Sequence, residues 1–259
     1  MRLQRWLLPL SLLLLWQVVC QIGLIPAFKL PSPLQVGQGL LGLYTRGLPP
    51  GHGLAEHLFY SLYRVGLGFL LAGVIGLPLG VILGWSPRLH NLVSPLVEIM
   101  RPVPPLAWIP ISILWFGIGI RSAAFIIFLG AFFPILLNTI AGVASTNLRL
   151  VEAAKTLGAN SREIMLKVML PYALPSIFVG LRVGMGIGWM TLVAAEFTGV
   201  KSGYGLGYMI MTARDISRAD QVIAGMVVIG LVGLGIDLGI RKVQALLIPW
   251  DRNHGTNGR

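Results

Sequence analysis

The chain has 259 residues, 55% of them hydrophobic and only 11% charged, with a formal net charge of +11 and a single cysteine. Soluble domains carry roughly 25% charged residues, so this chain has too little solvating charge to clothe a water-exposed globule, and a mean hydropathy of +0.80 points to the bilayer as its solvent. Its basic residues sit in short connectors without interleaved aromatics, which argues against nucleic acid as a partner, and the lone Cys20 excludes an intrachain disulfide or a Cys-built metal site.

Apolar segments follow one another at residues 6–25, 61–85, 95–117, 122–144, 171–197 and 221–248. Each has the ~20 residues needed, at ~1.5 Å rise, to cross a ~30 Å hydrocarbon core. The expected fold class is therefore an all-α transmembrane bundle of six helices. Its expected organisation is a first helix and a Pro/Gly-rich external loop over 1–60, a core over 61–248 and a tail over 249–259.

Arg2 and Arg5 precede the first segment as they would a signal peptide, but no small-x-small cleavage site follows. Val18-Val19-Cys20 lacks the small residue that precedes a lipoprotein cysteine. An uncleaved first helix is expected. Arg2, Arg5, Arg88, Arg149, Lys155, Arg162, Lys167, Arg241, Lys242, Arg252 and Arg259 fall on the side of the N-terminus, against Lys29, Arg46, Arg121, Lys201, Arg214 and Arg218 in the opposite connectors. Basic residues collect on the cytoplasmic side, so both termini are expected there.

The second segment carries Gly76, Gly80 and Gly84 at four-residue spacing, a small-residue face that lets another helix approach closely. Pro102, Pro104, Pro105 and Pro110 must interrupt the third. Broken backbone at membrane depth is tolerated where it is buried in protein or lines a cavity, so Pro104 and Pro105 are candidates for a pathway, with a kinked packing helix as the alternative. Glu98 and Arg101, three residues apart, are expected to pair locally.

The connector over 145–170 is the one long polar loop on the side of the N-terminus. Asn147 can cap a helix through Leu150-Val151-Glu152-Ala153-Ala154-Lys155, and Gly158 can end it. Asn160, with Glu163 three residues on, opens a second helix as a capping box, and Pro171 is placed to start the next span. Leu150, Ala153, Ala154 and Leu157 form an apolar face with no obligatory cover on their own chain. Such a helix pair either docks another protein or rests on lipid headgroups.

Glu152-Ala153-Ala154, then Gly158, then Val168-x-Leu170-Pro171 resembles the Glu-Ala-Ala loop of binding-protein-dependent ABC importer permeases at all its spacings, with Val168 where isoleucine is usual. Gly180-Leu181-Arg182, Ala194-Ala195-Glu196, Gly205-Leu206-Gly207 and Ile248-Pro249-Trp250 are similar to the nitrate/sulfonate/taurine branch of that family, and the resemblance covers about residues 60–251. It implies a type I importer fold in the bacterial inner membrane. It further implies a coupling role for Glu152, Ala153, Ala154, Lys155, Gly158, Leu170 and Pro171, which would grip a cytoplasmic ATPase pair. The other implied partners are a periplasmic binding protein and a second permease copy, commonly an identical one. The cargo implied is a small solute such as nitrate, bicarbonate, a sulfonate or taurine, although relatives also carry vitamin precursors.

Arg182 falls about eleven residues into the fifth segment, near the midplane, where an arginine must face protein or water. It suits a transient site for a crossing anion, or a structural pair with a carboxylate or with carbonyls freed by the broken third helix; pairing is the favoured expectation. Glu196, at the outer end of the same segment and followed by Thr198 and Gly199, fits an outer gate or, as the blander reading, an interfacial carboxylate. Arg214, Asp215, Arg218 and Asp220 read as a solvated connector, and Met209, Met211 and Met226 as packing filler. His52, His57, His90 and His254 are scattered without the spacing of a metal site.

No Gly-x-x-x-x-Gly-Lys-Ser/Thr phosphate loop and none of the common hydrolase motifs occurs. The chain is expected to be no enzyme and to hold no cofactor, ATP and Mg²⁺ belonging to the partner ATPase. An ion-gradient-driven transporter or channel, or a scaffolding subunit, is the rival class.

Overall fold

A computed structural model describes residues 4–23, 25–197 and 204–250, and the regular structure among them is helical. In chain order the helices are α1 (Gln4–Gln21), α2 (Pro33–Thr45), α3 (Leu54–Trp85), α4 (Pro87–Met100), α5 (Ile109–Phe116, entered through a 3₁₀ turn, Pro105–Trp108) and α6 (Ile120–Ala144). Then come α7 (Leu148–Thr156), α8 (Ser161–Ile164), a π turn (Met165–Met169), α9 (Leu170–Phe197), α10 (Leu206–Asp215) and α11 (Ala219–Leu247). The chain forms two compact units, Met1–Leu62 with Glu196–Val232, and Tyr63–Ala195 with Gly233–Arg259.

The second unit is built around α6, which packs on α3 and on α9 through adjoining faces that share Ile127 and Ile135. On one face the glycine ladder of α3 closes on it. A Cβ placed on Gly80 would stand 2.6 Å from Thr139 Cβ, one on Gly84 2.7 Å from Val143 Cβ, and one on Gly76 3.2 Å from Ile135 Cγ2. The expected small-residue face is therefore real, and it extends back to Gly68, whose Cβ would meet Ile127 Cβ at 2.6 Å. On the other face α9 approaches through glycines of its own. A Cβ on Gly180 would lie 2.8 Å from Asn138 Cβ, and one on Gly184 2.9 Å from the Ala131 carbonyl oxygen. Lipid supplies no hydrophobic drive between helices, so close backbone approach and dispersion hold them.

This packing gives a clean prediction. Gly80→Ala should destabilise the protein by about 1–3 kcal/mol, because overpacking forces α3 and α6 apart. Gly73→Ala, on the same helix with nothing within 4 Å of its would-be Cβ, should be neutral or slightly stabilising. Thermal unfolding of the two variants in detergent checks this, and equal midpoints would show that the ladder is not a packing constraint.

Register decides the path of α4 and α5. Contacts advance together along α3 and α6 (Gly68 with Ile127, Gly84 with Val143), so these helices are parallel, whereas α9 runs antiparallel to α6. The chain leaves α3 at Trp85, near the Val143 end of α6, and enters α6 at Ile120, which shares a cavity with Leu67 and Leu71. The α4–α5 pair must therefore return across roughly 25 Å at ~1.5 Å per residue. It is a broken span and not a re-entrant hairpin, bent by 81° between Met100 and Pro105. The break lies among the prolines as expected. The span does not start at residue 95, however, because Ser86 caps α4 through Leu89 N–H (3.4 Å) and Pro95 is absorbed inside the helix.

α3, α6, Ser161–Phe197 and α11 are each long and apolar enough to cross a membrane and the broken pair makes a fifth crossing, whereas α1, apolar over Leu7–Gln21, is shorter, so that five of the six expected spans reach that length among the described residues. From Leu7 onward α1 exposes leucines all round, including Leu8 at 70% and Leu14 at 67%, as a lipid-facing helix does.

The first unit corrects one expectation. Residues 27–60 are not an irregular loop: Ser32 and Gln35 form a reciprocal capping box that starts α2 behind Pro33, and α3 begins at Leu54. Beyond Gly205, α10 buries Leu206, Met209, Ile210 and Ala213, while Arg214, Asp215 and Arg218 are exposed as a solvated segment should be. Met209 fills the core as expected, but Met226 is 58% exposed on α11.

Candidate functional site

The 145–170 loop folds much as its capping signals dictate. Asn147 Oδ1 accepts from Arg149 N–H (3.0 Å) to open α7, which ends at Thr156. Beyond it Gly158 adopts φ +84°, its N–H bonding Lys155 O (2.9 Å) and the Ala159 N–H bonding Ala154 O (3.0 Å). That pair of bonds with a left-handed glycine is a Schellman stop, and a side chain at Gly158 would be strained. Asn160 and Glu163 then cap each other reciprocally (2.9 and 3.1 Å), and Glu163 also accepts from Lys167 Nζ (3.1 Å).

Pro171 stands in the first turn of α9, as expected, although helical backbone already leads into it. The chain runs helically from Ser161 to Phe197, passing Pro171 just after the π turn, where the Leu170 N–H reaches back to Met165 O. A wider turn displaces the hydrogen-bond ladder by one residue just where proline has no N–H to give.

The loop presents the residues singled out in the sequence together. Glu152, Ala153, Lys155 and Gly158 are exposed and Ala154 is half-buried. Leu157 is 87% exposed, Leu148 73% and Leu150 48%, while Val151 and Ile164 turn inward. Leu170 and Pro171 lie half-buried at the base, where the loop joins the span. The arrangement is a short rigid helix with apolar and charged groups outward, clamped at both ends.

A second group of residues lies in the middle of the same unit. Arg182 Nε donates to Asp237 Oδ1 (3.1 Å), and Asp237 Oδ2 accepts from Arg241 Nε (2.7 Å) one turn along α11. The favoured pairing of Arg182 with a carboxylate is thus observed, through a residue the sequence reading did not single out. An aspartate four residues before an arginine was the available signal. Arg182 does not line the cavity beside it, which has a volume of about 510 Å³ and is walled by Arg101, Val103, Pro105, residues of α6 from Leu129 to Asn138, and Val183 and Ile187 of α9. Of the two prolines proposed for a pathway, Pro105 lines this cavity, while Pro104 caps the 3₁₀ turn and is exposed. The expected Glu98–Arg101 pair does not form: Glu98 accepts from Ser94 Oγ (3.1 Å), and Arg101, at the end of α4, makes no ion pair among the described residues.

In the first unit Glu196 is buried within the protein. It is 6% exposed and takes hydrogen bonds from Ser61 Oγ (2.9 and 3.2 Å) and the Gly207 N–H (2.8 Å). Ser61 Oγ in turn accepts from Leu206 N–H (2.9 Å), and His57 Nδ1 from Gly205 N–H (3.0 Å). The first amides of α10 have no partners within their own helix. Here side chains of α3 and α9 supply all three, with a carboxylate at the positive end of the helix dipole. Gly205-Leu206-Gly207 is therefore a docking point for Glu196, Ser61 and His57. Thr198 and Gly199, and the tail beyond Trp250, lie outside the described residues.

Arg214 pairs with Asp215 (2.9 Å) and Arg218 with Asp220 (2.8 Å), so the mixed-charge connector is internally neutralised. His52 pairs with Glu56 one helical turn on (2.8 Å), a histidine–carboxylate spacing overlooked in the sequence. Among the described residues no three potential ligands gather as a metal site would require.

Comparison with known proteins gives concordant results. Residues 76–250 match the family model described as binding-protein-dependent transport system inner membrane component. The chain is 39% identical to the taurine transport system permease protein TauC of Escherichia coli, over 92% of this chain and 86% of that one. It is 33% identical to the nitrate import permease protein NrtB of Synechocystis, again over 92% and 86%. Among solved structures it resembles a chain of the MetNI methionine ABC transporter in an inward-facing conformation, at 26% identity and a TM-score of 0.63, covering 75% of this chain and 95% of that one. With its exposed Glu-Ala-Ala helix, its broken third span and these matches over most of its length, the chain belongs to the inner-membrane permeases of binding-protein-dependent ABC importers.

Proposed function

We propose that this permease works as a homodimer, with both termini in the cytoplasm, and admits a small anion such as nitrate, bicarbonate, a sulfonate or taurine. Nucleotide and Mg²⁺ belong to a separate pair of cytoplasmic ATPases, and a periplasmic binding protein delivers the cargo. The observation that carries this reading is α7, held by the capping Asn147 on one side and a left-handed Gly158 on the other, with Leu150 and Leu157 outward. A short apolar helix so clamped transmits force instead of absorbing it. Closure of the two ATPases on ATP draws the two copies of α7 together, and the rigid continuation from Ser161 to Phe197 carries that motion into the span. The dimer then turns from inward- to outward-facing.

The anionic cargo is supported by the taurine and nitrate relatives and by the cationic balance of the chain. Reconstitution tests the whole. Proteoliposomes holding the permease with its ATPase and binding protein should take up cargo only with ATP inside and loaded binding protein outside. Uptake by the permease alone, driven by an ion gradient, would mark a secondary transporter. ATPase copurification without substrate-dependent stimulation would mark a scaffold.

A further inference from the structure

We infer that Arg101 is the cationic contact for the cargo in mid-membrane, at the cavity opened by the broken third span. This rests on the anionic cargo proposed above. The cavity lies at mid-depth, because its lining residues on α6 and α9 fall within roughly 9 Å of the midpoints of both helices at ~1.5 Å per residue. At that depth an arginine costs ~2.5 kcal/mol or more unless it meets water or a partner.

The mid-membrane arginine of α9, Arg182, has its partner in Asp237. Arg101 has none among the described residues: Glu98, the acid three residues before it, is turned to Ser94, and Arg101 lines a cavity of about 510 Å³. A charge kept at that depth without a carboxylate is a charge left for something that passes. The break supplies the position, since α4 ends at Met100 and the prolines that follow prevent the chain from covering Arg101 with another helical turn.

The rest of the wall fits a small anion. Asn138 faces the same cavity, with one amide hydrogen given to Pro134 O (2.8 Å) and the other without a partner among the described residues. Gly130, Phe133 and Val183 are apolar, and the lining holds no acidic side chain. One guanidinium and one amide donor over apolar walls attract an oxyanion or sulfonate but hold it weakly, as a passage must if it is to let its cargo leave. A site meant for retention would gather several donors.

The test uses the complete transporter, permease with ATPase and binding protein, in proteoliposomes, with labelled taurine, nitrate and bicarbonate as probes. Wild type should import at least one of them. Arg101→Gln should lower that uptake at least tenfold at saturating loaded binding protein, with an unchanged melting temperature and with ATP hydrolysis still stimulated by the binding protein. Arg101→Lys should recover part of the loss. Arg101→Gln with wild-type uptake overturns the role of Arg101 and leaves the anionic cargo standing. A wild type that imports none of the three but takes up a solute with no oxyanion or sulfonate group overturns both.

A second arm does not depend on cargo. In a Cys20→Ser background, Arg101→Cys should react with a charged, water-soluble methanethiosulfonate, whereas a cysteine at Leu234, 54% exposed on α11, should not. Failure of the Arg101→Cys protein to label would show that the cavity is dry and the inference wrong.

Discussion

Gly158→Pro should abolish uptake by the reconstituted transporter and leave ATP hydrolysis deaf to the loaded binding protein. Two features of the loop make this the harshest single change available there. Gly158 sits at φ +84°, which proline, locked near −65°, cannot reach, and its N–H makes the bond to Lys155 O that proline would delete. Losing both costs about 3 kcal/mol or more, on the order of a hundredfold in the population of correctly folded loop. Gly158→Ala keeps the N–H and meets only the left-handed penalty of about 1–2 kcal/mol, so it should retain partial uptake. The graded pair separates a geometric requirement at Gly158 from simple intolerance. If the proline variant transports normally, α7 is not where ATPase closure enters the membrane.

The second large effect is expected at Glu196, and it should fall on stability. Glu196→Ala leaves Ser61 Oγ and the Gly207 N–H facing a space without an acceptor, in a site where Glu196 is only 6% exposed and Ser61 fully buried. Each buried group so stranded costs about 1–3 kcal/mol. The variant should melt well below wild type and release α10, whose first amides these side chains hold. Glu196→Gln keeps one acceptor oxygen but turns an NH₂ toward the remaining donor, so it should lie between. Ser61→Ala should resemble Glu196→Gln, because Leu206 N–H then loses its acceptor. Thermal unfolding in detergent, with limited proteolysis near α10, reads this directly. A Glu196→Ala protein that melts like wild type but no longer transports would return the residue to the outer gate considered from its position in the sequence.

The parts of this molecule that were legible beforehand share one physical character: their determinants are local. The 145–170 loop could be read almost residue by residue, because a capping asparagine, a capping box and a left-handed glycine act on the backbone within four or five positions. The ladder at Gly76, Gly80 and Gly84 could be read because helical periodicity puts those residues on one face. α2 could have been read the same way, since Ser32, Pro33 and Gln35 spell its start, but proline and glycine around it suggested a loop. α10 was harder. Its first amides are satisfied by His57, Ser61 and Glu196, all of them distant in sequence, so no local pattern announces the helix.

Sequence by itself determined that the chain lives in a bilayer, roughly where its long apolar helices fall, that its third span must break among the prolines, and that the Glu-Ala-Ala helix stops before Gly158. Each of these follows from composition, period or backbone restriction. Tertiary structure alone decided how the charges are spent. Arg182 found Asp237 on another helix, Glu196 was buried as a capping group, and Glu98 turned to Ser94 and left Arg101 lining a cavity of α6 and α9. A charged side chain within a span must be paired or wetted, and which of the two occurs depends on what the fold brings opposite it, which spacing along one chain does not encode.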